Sequence, residues 1–150
     1  LVGNSLGGWL AFQMVLDYPE RVLGIVSMGT GGAKQTAALK AHANPVLTEE
    51  GIKNTLSMFV VDKSLITDEL VKVRYEAAKN DYASDRLMDV VGARDRDRFE
   101  FPLDFEKMKD IQVPVLLIHG VQDVVIPVSR TWDILNTVPF ADAHIFIAVG

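Results

Sequence analysis

Residues 1–12, LVGNSLGGWLAF, contain the short motif that decides the fold. Gly3 to Gly7 match the pattern G-x-S-x-G, between the end of an apolar strand pattern and the start of an apolar helical pattern. The motif alone is common by chance, but in this strand–turn–helix context a serine hydroxyl is exposed on a strained turn. We expect Gly3 and Gly7 to leave room for that turn, because side chains there would collide. Ser5 is therefore a candidate nucleophile, and the alternative is an ordinary turn with a capping serine.

The same turn predicts how a negative charge beside Ser5 could be stabilised. The backbone N–H of Leu6 begins the helix, so it points from a helix N-terminus towards the space next to the serine hydroxyl. Leu6 is therefore a candidate donor to an oxyanion.

The rest of the chain predicts an α/β fold with a mostly parallel sheet. Short apolar runs bounded by glycine or proline are typical of strands buried on both faces. In chain order we expect a strand end at residues 1–2, a helix at 6–17, a strand at 22–28, a strand at 115–120, a helix at 128–137 and a last strand at 143–149.

Residues 33–105 interrupt this pattern with a helical segment that is poor in strands. Thr48 and Thr67, each followed by acidic residues, offer the chemistry of helix starts. We therefore divide the chain into a core segment 1–32, a helical lid insertion 33–105 and a core segment 106–150, which together form one α/β domain. Both ends of the chain interrupt predicted strands, so we interpret it as an internal fragment of a longer protein.

The composition is that of an ordinary globular domain, and it argues against several classes of function. The 150 residues are 49% apolar and 23% charged, with a formal net charge of -5 and no block of Lys and Arg, so we expect no nucleic-acid partner. No apolar run approaches the roughly 18 residues of a membrane span, so we expect no membrane partner. The absence of cysteine excludes a disulfide framework and a thiolate metal site, and it fits a reducing, cytoplasmic location.

A catalytic serine needs a base, and the base needs an orienting carboxylate. Asp123 lies in HGVQDVVIP, just past the carboxyl end of the predicted strand VLLI, on the edge of a parallel sheet where such sites form. The rival, Asp142, precedes a predicted strand and would lie at the opposite edge. Asp123 is therefore the candidate acid, and a simple turn carboxylate is the alternative.

None of the three histidines fits the role of the base well. His42 lies in the insertion, upstream of the candidate acid. His119 ends a strand, where we expect it to pack or to form hydrogen bonds locally. His144 begins the last predicted strand, which should place its side chain a strand length from Ser5. We expect the base in the loop after that strand, beyond Gly150, and therefore expect the 150-residue chain to be inactive by itself.

Three stretches of the chain are similar to parts of a known family. GNSLGG (3–8), HGVQDVVIP (119–127) and FVVDKSLITDELVKVRYEAA (59–78) resemble the nucleophile turn, the acid loop and the lid of the meta-cleavage product hydrolases. These are serine enzymes of aromatic-ring degradation with the α/β-hydrolase fold. The lid stretch is the most specific of the three, because many hydrolases share the turn. The resemblance extends over almost the whole chain.

The resemblance implies hydrolysis of a carbon–carbon bond in a small-molecule substrate, a 2-hydroxy-6-oxohexa-2,4-dienoate, without a metal or organic cofactor. Ser5 would be the nucleophile, Asp123 the acid and Leu6 one oxyanion donor. Asn4 and Arg74 match polar residues that hold the dienoate end, and a planar guanidinium suits a carboxylate. The glycine-containing oxyanion loop that the family has upstream of the turn is absent from this chain.

Several alternatives stay open. Arg74 could instead pair with Asp68, Glu69 or Glu76 on its own helix, and Asn4 could only cap the turn. The nucleophile turn and the acid alone would also fit an esterase or a lactonase. A non-catalytic ligand-binding protein on the same fold is a third interpretation, because fold does not fix function. An assembly of identical subunits is also compatible with the sequence.

Overall fold

The computed structural model describes residues 1–32, 47–82 and 102–149. Two compact units make up the chain: Leu1–Thr36 with Glu100–Gly150, and Ala37–Phe99. In chain order the strands and helices are β1 (Val2–Asn4), α1 (Leu6–Asp17), β2 (Ile25–Met28), α2 (Glu49–Leu56), α3 (Asp68–Tyr82), α4 (Phe105–Met108), β3 (Val115–Gly120), α5 (Ser129–Leu135) and β4 (Ala141–Phe146). The role of the second unit as a lid, and the three predicted segments, stay predictions.

The first unit is built on a four-stranded sheet in the order β1-β2-β3-β4, and all the pairs of neighbouring strands are parallel. The predicted α/β class with a mostly parallel sheet is therefore confirmed. The register aligns two rows of residues across all four strands: Val2, Val26, Leu116 and Asp142, then Asn4, Met28, Ile118 and His144. The carboxyl ends of the strands meet at one edge, so the residues that follow β1, β2 and β3 come together there.

One face of this sheet carries the hydrophobic core. Ile25 of β2 and Val115 and Leu117 of β3 point to this face and are buried. Helices α1 and α5 cover it, and each contributes a fully buried side chain, Phe12 and Ile134. Burying one such side chain contributes roughly 1.5–3 kcal/mol, so the core fixes the position of the sheet against these helices.

The opposite face of the sheet stays open to solvent. Val2, Leu116 and Phe146 lie on this face and keep 73%, 39% and 44% of their surface exposed. Apolar side chains at alternate strand positions are typical of a face that packs against other elements. The described residues therefore cover one face of the sheet and leave an apolar surface on the other.

Strand β2 begins later than the sequence predicts. The prediction started it at Val22, whereas the observed strand starts at Ile25. Leu23 is 94% exposed, and the Ile25 N–H donates to Pro114 O at 2.9 Å, next to the start of β3. The ladder with β3 therefore begins only where its partner strand is available.

Strand β4 is displaced towards the N-terminus relative to the prediction. It runs over Ala141–Phe146 instead of residues 143–149. The Val115 N–H already donates to Phe140 O at 2.9 Å, and the Val121 N–H donates to Phe146 O at 2.9 Å. Hydrogen bonds to β3 therefore set where β4 begins and ends. An apolar run in the sequence does not predict the positions of these hydrogen bonds.

Hydroxyl side chains begin the two α-helices that the structure describes in the second unit. Thr48 Oγ1 accepts from the Gly51 N–H at 3.0 Å, and Thr67 Oγ1 accepts from the Leu70 N–H at 3.1 Å. These caps confirm the two predicted helix starts. Helices α2 and α3 pack against each other, and the described residues of this unit contain no strand. Residues 94–101, RDRDRFEF, are a dense run of charge that the sequence predicts to be a solvated loop, and they lie outside the described residues.

Candidate active site

Ser5 lies between β1 and α1 in a backbone conformation that few residues adopt. Its φ is 51° and its ψ is -117°, and no other non-glycine residue in the described ranges has a positive φ. Such a conformation costs on the order of 1–3 kcal/mol and persists only where the surroundings hold it. The Ser5 side chain makes no capping hydrogen bond to α1, and the residue is exposed. The capping alternative is therefore not observed, and the hydroxyl is left available for chemistry.

The backbone of Ser5 is held from the region of β2. The Ser5 N–H donates to Met28 O at 2.9 Å, and the Gly31 N–H donates to Ser5 O at 2.8 Å. Met28 ends β2, and Gly31 belongs to the segment Gly29–Gly32 that follows it. The strained turn therefore depends on the neighbouring strand and on the segment after it.

Glycines around the turn permit close contacts, but only one of the two glycines of the motif does so. A β-carbon on Gly3 would collide with the backbone of Gly7 and Gly8. A β-carbon on Gly8 would collide with Ser27 Oγ, whereas one on Gly7 would meet nothing within 4 Å. The expectation that Gly7 leaves room for the turn is therefore wrong, because its own β-carbon position is open. Gly8, outside the five-residue motif, has the close contact instead.

The segment Gly29–Gly32 is fixed by two further interactions. Ser27 and Thr30 share a hydrogen bond of 2.6 Å between their hydroxyls, and each residue is 1% exposed. The Arg130 guanidinium donates to Gly32 O at 3.4 Å. The sequence does not reveal the role of Arg130, because a single arginine in a predicted helix carries no sign of a contact 98 residues away. These contacts connect the segment to β2 and to α5.

Leu6 is the first residue of α1, so its N–H has no acceptor one turn earlier in the helix. A β-carbon on Gly31 would lie 3.0 Å from the Leu6 nitrogen and 2.8 Å from Ser5 O. Glycine at position 31 therefore keeps the space beside this N–H open. A free N–H at a helix start, next to Ser5, is chemically suited to a developing negative charge. Its role as an oxyanion donor stays a prediction.

Asp123 follows β3, and both oxygens of its carboxylate have close neighbours. Oδ1 accepts from the N–H groups of Val125 and Ile126, both at 2.8 Å, and Oδ2 lies 3.3 Å from His119 Nε2. Burial raises the pKa of Asp123, but the hydrogen bonds from His119, Ile126 and Val125 outweigh it and hold that pKa below its usual value. The carboxylate is therefore ionised at neutral pH, as an orienting acid has to be.

Ser5 and Asp123 lie at the same edge of the sheet, on strands that flank β2. Two strand spacings, about 10 Å, separate β1 from β3. A β-carbon on Gly29 would lie 3.4 Å from Asp123 Oδ2, so this oxygen faces the end of β2. The two candidate residues therefore follow strands that lie on either side of β2, at one edge of the sheet.

His144 is out of reach of Ser5, but not for the reason that the sequence suggested. It lies in the same register row as Asn4, so it is level with the nucleophile turn and not a strand length away. Three strand spacings, about 14 Å, separate β4 from β1, and the His144 ring packs against Phe146 with 4.5 Å between centroids. The predicted separation of His144 from Ser5 along the strand direction is therefore wrong. The two residues are separated across the sheet instead, because β2 and β3 lie between β1 and β4. His42 lies outside the described residues.

His119 forms the local hydrogen bonds that the sequence predicted. It is 2% exposed, its Nδ1 lies 2.7 Å from Thr131 Oγ1, and its Nε2 lies 2.9 Å from Ile126 O. Its contact with Asp123 was not predicted from the sequence. The spacing of four residues across the end of β3 is the only sign in the sequence that could have indicated it.

The predicted substrate contacts, Asn4 and Arg74, lie in different units of the chain. Asn4 Nδ2 donates to Met28 O at 3.3 Å, and Asn4 itself is exposed. Arg74 is exposed on α3, and among the residues that the structure describes it forms no ion pair. Glu76, one of its predicted partners, pairs with Lys79 at 3.3 Å instead. The roles of both residues in binding stay predictions.

Residues 1–32, 47–82 and 102–149 contain no group of three or more His, Cys, Asp or Glu side chains that could hold a metal ion. None of the helices in those ranges combines the length and the apolar character that crossing a bilayer requires.

Comparison with known proteins gives the family. The family model described as "Serine aminopeptidase, S33" matches residues 1–150, the whole chain. The chain belongs to this family. Among curated relatives of this member of the serine aminopeptidase family, a 2-hydroxy-6-oxononadienedioate/2-hydroxy-6-oxononatrienedioate hydrolase from Burkholderia vietnamiensis is 34% identical over 159 residues. That match covers 100% of this chain and 54% of the relative, so the chain spans about half the length of the curated relatives it matches.

Solved structures similar to this chain include the same kind of enzyme as its relatives in sequence. The meta-cleavage product hydrolase CumD from Pseudomonas fluorescens superimposes with a TM-score of 0.82 at 32% identity, over 97% of this chain and 54% of that one. The 2-hydroxy-6-oxo-6-phenylhexa-2,4-dienoate hydrolase BphD from Rhodococcus sp. strain RHA1 gives a TM-score of 0.82 at 25% identity, over 99% and 56%. This member of the serine aminopeptidase family therefore has the α/β-hydrolase fold, and the resemblance to meta-cleavage product hydrolases is confirmed.

Proposed function

We propose that the whole protein containing this chain is a serine hydrolase that cleaves a carbon–carbon bond in a meta-cleavage product of the 2-hydroxy-6-oxohexa-2,4-dienoate class. The observation that carries the proposal is the geometry of Ser5, an exposed serine in a strained turn whose hydroxyl does not cap the helix. The relatives that are named as hydrolases of such substrates support the choice of substrate class.

Ser5 and Asp123 have complementary roles in this proposal. Asp123, ionised and at the same edge of the sheet, orients a histidine that lies outside the described residues. That histidine removes the proton from Ser5 Oγ, which attacks the distal ketone after the substrate has ketonised. The Leu6 N–H stabilises the oxyanion that forms. The carbon–carbon bond then breaks, the carbanion-like leaving group is protonated, and water releases the acyl group from Ser5.

Asn4 and Arg74 are proposed to hold the dienoate end of the substrate. The resemblance of the lid stretch supports Arg74, and its guanidinium is exposed and without an ion pair among the described residues. A guanidinium can bind a substrate carboxylate through two parallel hydrogen bonds. The amide of Asn4, directly before Ser5, can donate to or accept from an enol or keto oxygen.

The first experiment measures turnover by the whole protein. The reaction consumes a conjugated dienone, so its absorbance should disappear with wild-type protein. We expect Ser5→Ala to lower kcat by about 1,000-fold or more. Activity on simple p-nitrophenyl esters alone would identify an esterase instead, and no activity on either substrate would favour a non-catalytic binding protein.

A second experiment tests the proposed role of Arg74 in holding the substrate. Arg74→Gln should lower kcat/KM by roughly 10- to 100-fold, because a hydrogen bond to a charged group contributes about 1.5–3 kcal/mol. Lys72→Gln is the matched control, since it removes a positive charge from an exposed position on the same helix. Equal effects of the two variants would remove the specific role of Arg74 and leave only general charge attraction.

The location and the assembly of the whole protein are also proposals. A cytoplasmic location is supported by the absence of cysteine from the chain. An assembly of identical subunits is tested by light scattering on the purified whole protein.

A further inference from the structure

We propose that His119 is a positioning residue, which holds the carboxylate of Asp123 in the orientation that the catalytic base needs, and that Thr131 fixes the ring of His119 for this task. The inference rests on the proposed function, in which Asp123 is the orienting acid. His119 does not touch the substrate in this proposal and acts only through Asp123.

Both nitrogens of the His119 ring have a buried partner, and together these partners define its tautomer. Ile126 O can only accept a hydrogen bond, so Nε2, at 2.9 Å from it, has to carry a proton. In the neutral ring, Nδ1 then accepts from the Thr131 hydroxyl, which lies 2.7 Å away. Thr131 is 2% exposed, so water cannot easily replace this donor. The ring therefore presents Nε2–H, and not a lone pair, to Asp123.

His119, Ile126 and Asp123 form a closed set of contacts. The His119 Nε2–H donates to Ile126 O, and the Ile126 N–H donates to Asp123 Oδ1 at 2.8 Å. Asp123 Oδ2 lies 3.3 Å from the same Nε2, which closes the set. The shorter contact is the bond to Ile126 O, so the contact with Oδ2 is the weaker one. Because each member is tied to the other two, the carboxylate cannot rotate without breaking one of these contacts.

The acceptor sites of the carboxylate explain why this arrangement matters. A carboxylate offers about four sites for hydrogen bonds. The Val125 and Ile126 N–H groups occupy Oδ1, and the His119 Nε2–H lies against Oδ2. Among the described residues this leaves one site on Oδ2, the oxygen that faces Gly29 at the end of β2. A base that stands between Asp123 and Ser5 would meet that site.

The test compares His119→Leu, His119→Gln and Thr131→Val in the whole protein. We expect His119→Leu to lower kcat on the order of tenfold, the effect typical of removing the outer partner of a functional ligand, with KM within about twofold. The acidic limb of the kcat/KM profile should move to lower pH, because a displaced carboxylate supports the cationic base less well. His119→Gln, which keeps an N–H donor, should restore part of both effects. Thr131→Val should shift the same limb by less.

A merely structural role would give a different result. Ile134→Val, a core substitution on the helix that carries Thr131, is the matched control for lost packing. It should lower the melting temperature and leave the acidic limb in place. A His119→Leu variant with an unchanged limb would overturn the proposal. If His119→Leu does not fold, the profiles of His119→Gln and Thr131→Val decide the question by the same criterion.

A double-mutant cycle separates this inference from the proposed function. If His119 acts through Asp123, then His119→Leu combined with Asp123→Asn should be no slower than Asp123→Asn alone. Additive losses would show that His119 acts by another route and would overturn the proposal. A fully active Asp123→Asn would instead show that the proposed acid is wrong, whatever His119 does. A slow Asp123→Asn with a fully active His119→Leu would overturn only the role of His119.

Discussion

Two adjacent glycines of α1 have opposite surroundings, and this difference can be measured. A β-carbon on Gly8 would collide with the buried Ser27 hydroxyl, whereas the position on Gly7 is open. We expect Gly8→Ala to destabilise the protein by about 1–3 kcal/mol through overpacking. Gly7→Ala should be neutral or stabilise it by about 0.5–1 kcal/mol, because alanine favours a helix. Urea unfolding of both variants of the whole protein gives the two free energies.

Two results of this experiment would contradict the structure. Equal tolerance of both substitutions would mean that Ser27 moves aside without cost. A large loss in Gly7→Ala would mean that a segment outside the described residues packs on that glycine.

The lowered pKa of Asp123 predicts a pH dependence of stability. A carboxyl whose pKa is lower in the folded protein stabilises it above the unfolded pKa, which is about 3.9. That contribution is lost as the pH falls through the folded value. Asp123→Asn has no such group, so its free energy of unfolding should fall less than that of the wild type between pH 5 and about 3. Parallel pH curves for the two proteins would contradict the observed hydrogen bonds.

Single residues differ in how far the sequence could predict them. The strained turn at Ser5 and the placement of Asp123 after β3 follow from a motif and from a strand end, which are local patterns. The contact of Asp123 with His119 depends on how the chain folds back after β3. The position of His144 depends on the register between β3 and β4. Neither the path of the chain after β3 nor the register between β3 and β4 follows from a local sequence pattern, so the sequence alone predicts neither.

At the scale of elements, the segment after β2 links the candidate nucleophile to the candidate acid. The Gly31 N–H donates a hydrogen bond to the Ser5 carbonyl, and Gly29 lies close to the Asp123 carboxylate. The Gly29 N–H also donates to Ile118 O at 3.0 Å in β3. This segment therefore sets the spacing between the two functional groups.

A matched pair of substitutions at the two ends of β2 tests that role. A β-carbon on Gly31 would lie 2.8 Å from Ser5 O, so Gly31→Ala should displace the turn and lower kcat by up to about 100-fold. Gly24→Ala places a β-carbon 3.2 Å from Pro114 O, far from the carboxyl edge. It should cost some stability but leave kcat close to the wild-type value. Equal kcat values in the two variants would contradict the positioning role of the segment.

The element boundaries show which signals in the sequence are reliable. The helix starts after Thr48 and Thr67 were predicted correctly, because a hydroxyl cap is a local interaction. The start of β2 and both ends of β4 were misplaced by two or three residues. A strand begins where its partner begins, and the partner is distant in sequence. Capping chemistry therefore predicts boundaries better than apolar runs do.

At the scale of the whole molecule, the exposed face of the sheet predicts a difference between this chain and the whole protein. The chain spans about half of its relatives' length, so we expect the remainder to cover this face. The chain has no cysteine, which allows single thiol probes. In a cysteine-free background, Leu116→Cys should react quickly with a thiol reagent in the 150-residue chain and slowly in the whole protein.

Leu23→Cys is the control for this experiment. Leu23 is 94% exposed in the segment before β2, so we expect its cysteine to react at a similar rate in both proteins. Equal rates for Leu116→Cys in the two proteins would mean that the face stays open in the whole protein.

The hydrogen bonds of Ser5 have a consequence for engineering. Its conformation is held by Met28 and Gly31, which lie more than 20 residues away in sequence. A GNSLG pentapeptide grafted onto another strand–helix junction would carry the serine without the two groups that keep it strained, and it should relax into an ordinary turn. The smallest portable unit is therefore β1, α1, β2 and the four residues that follow β2, and a designer who transplants the nucleophile has to move all of them together.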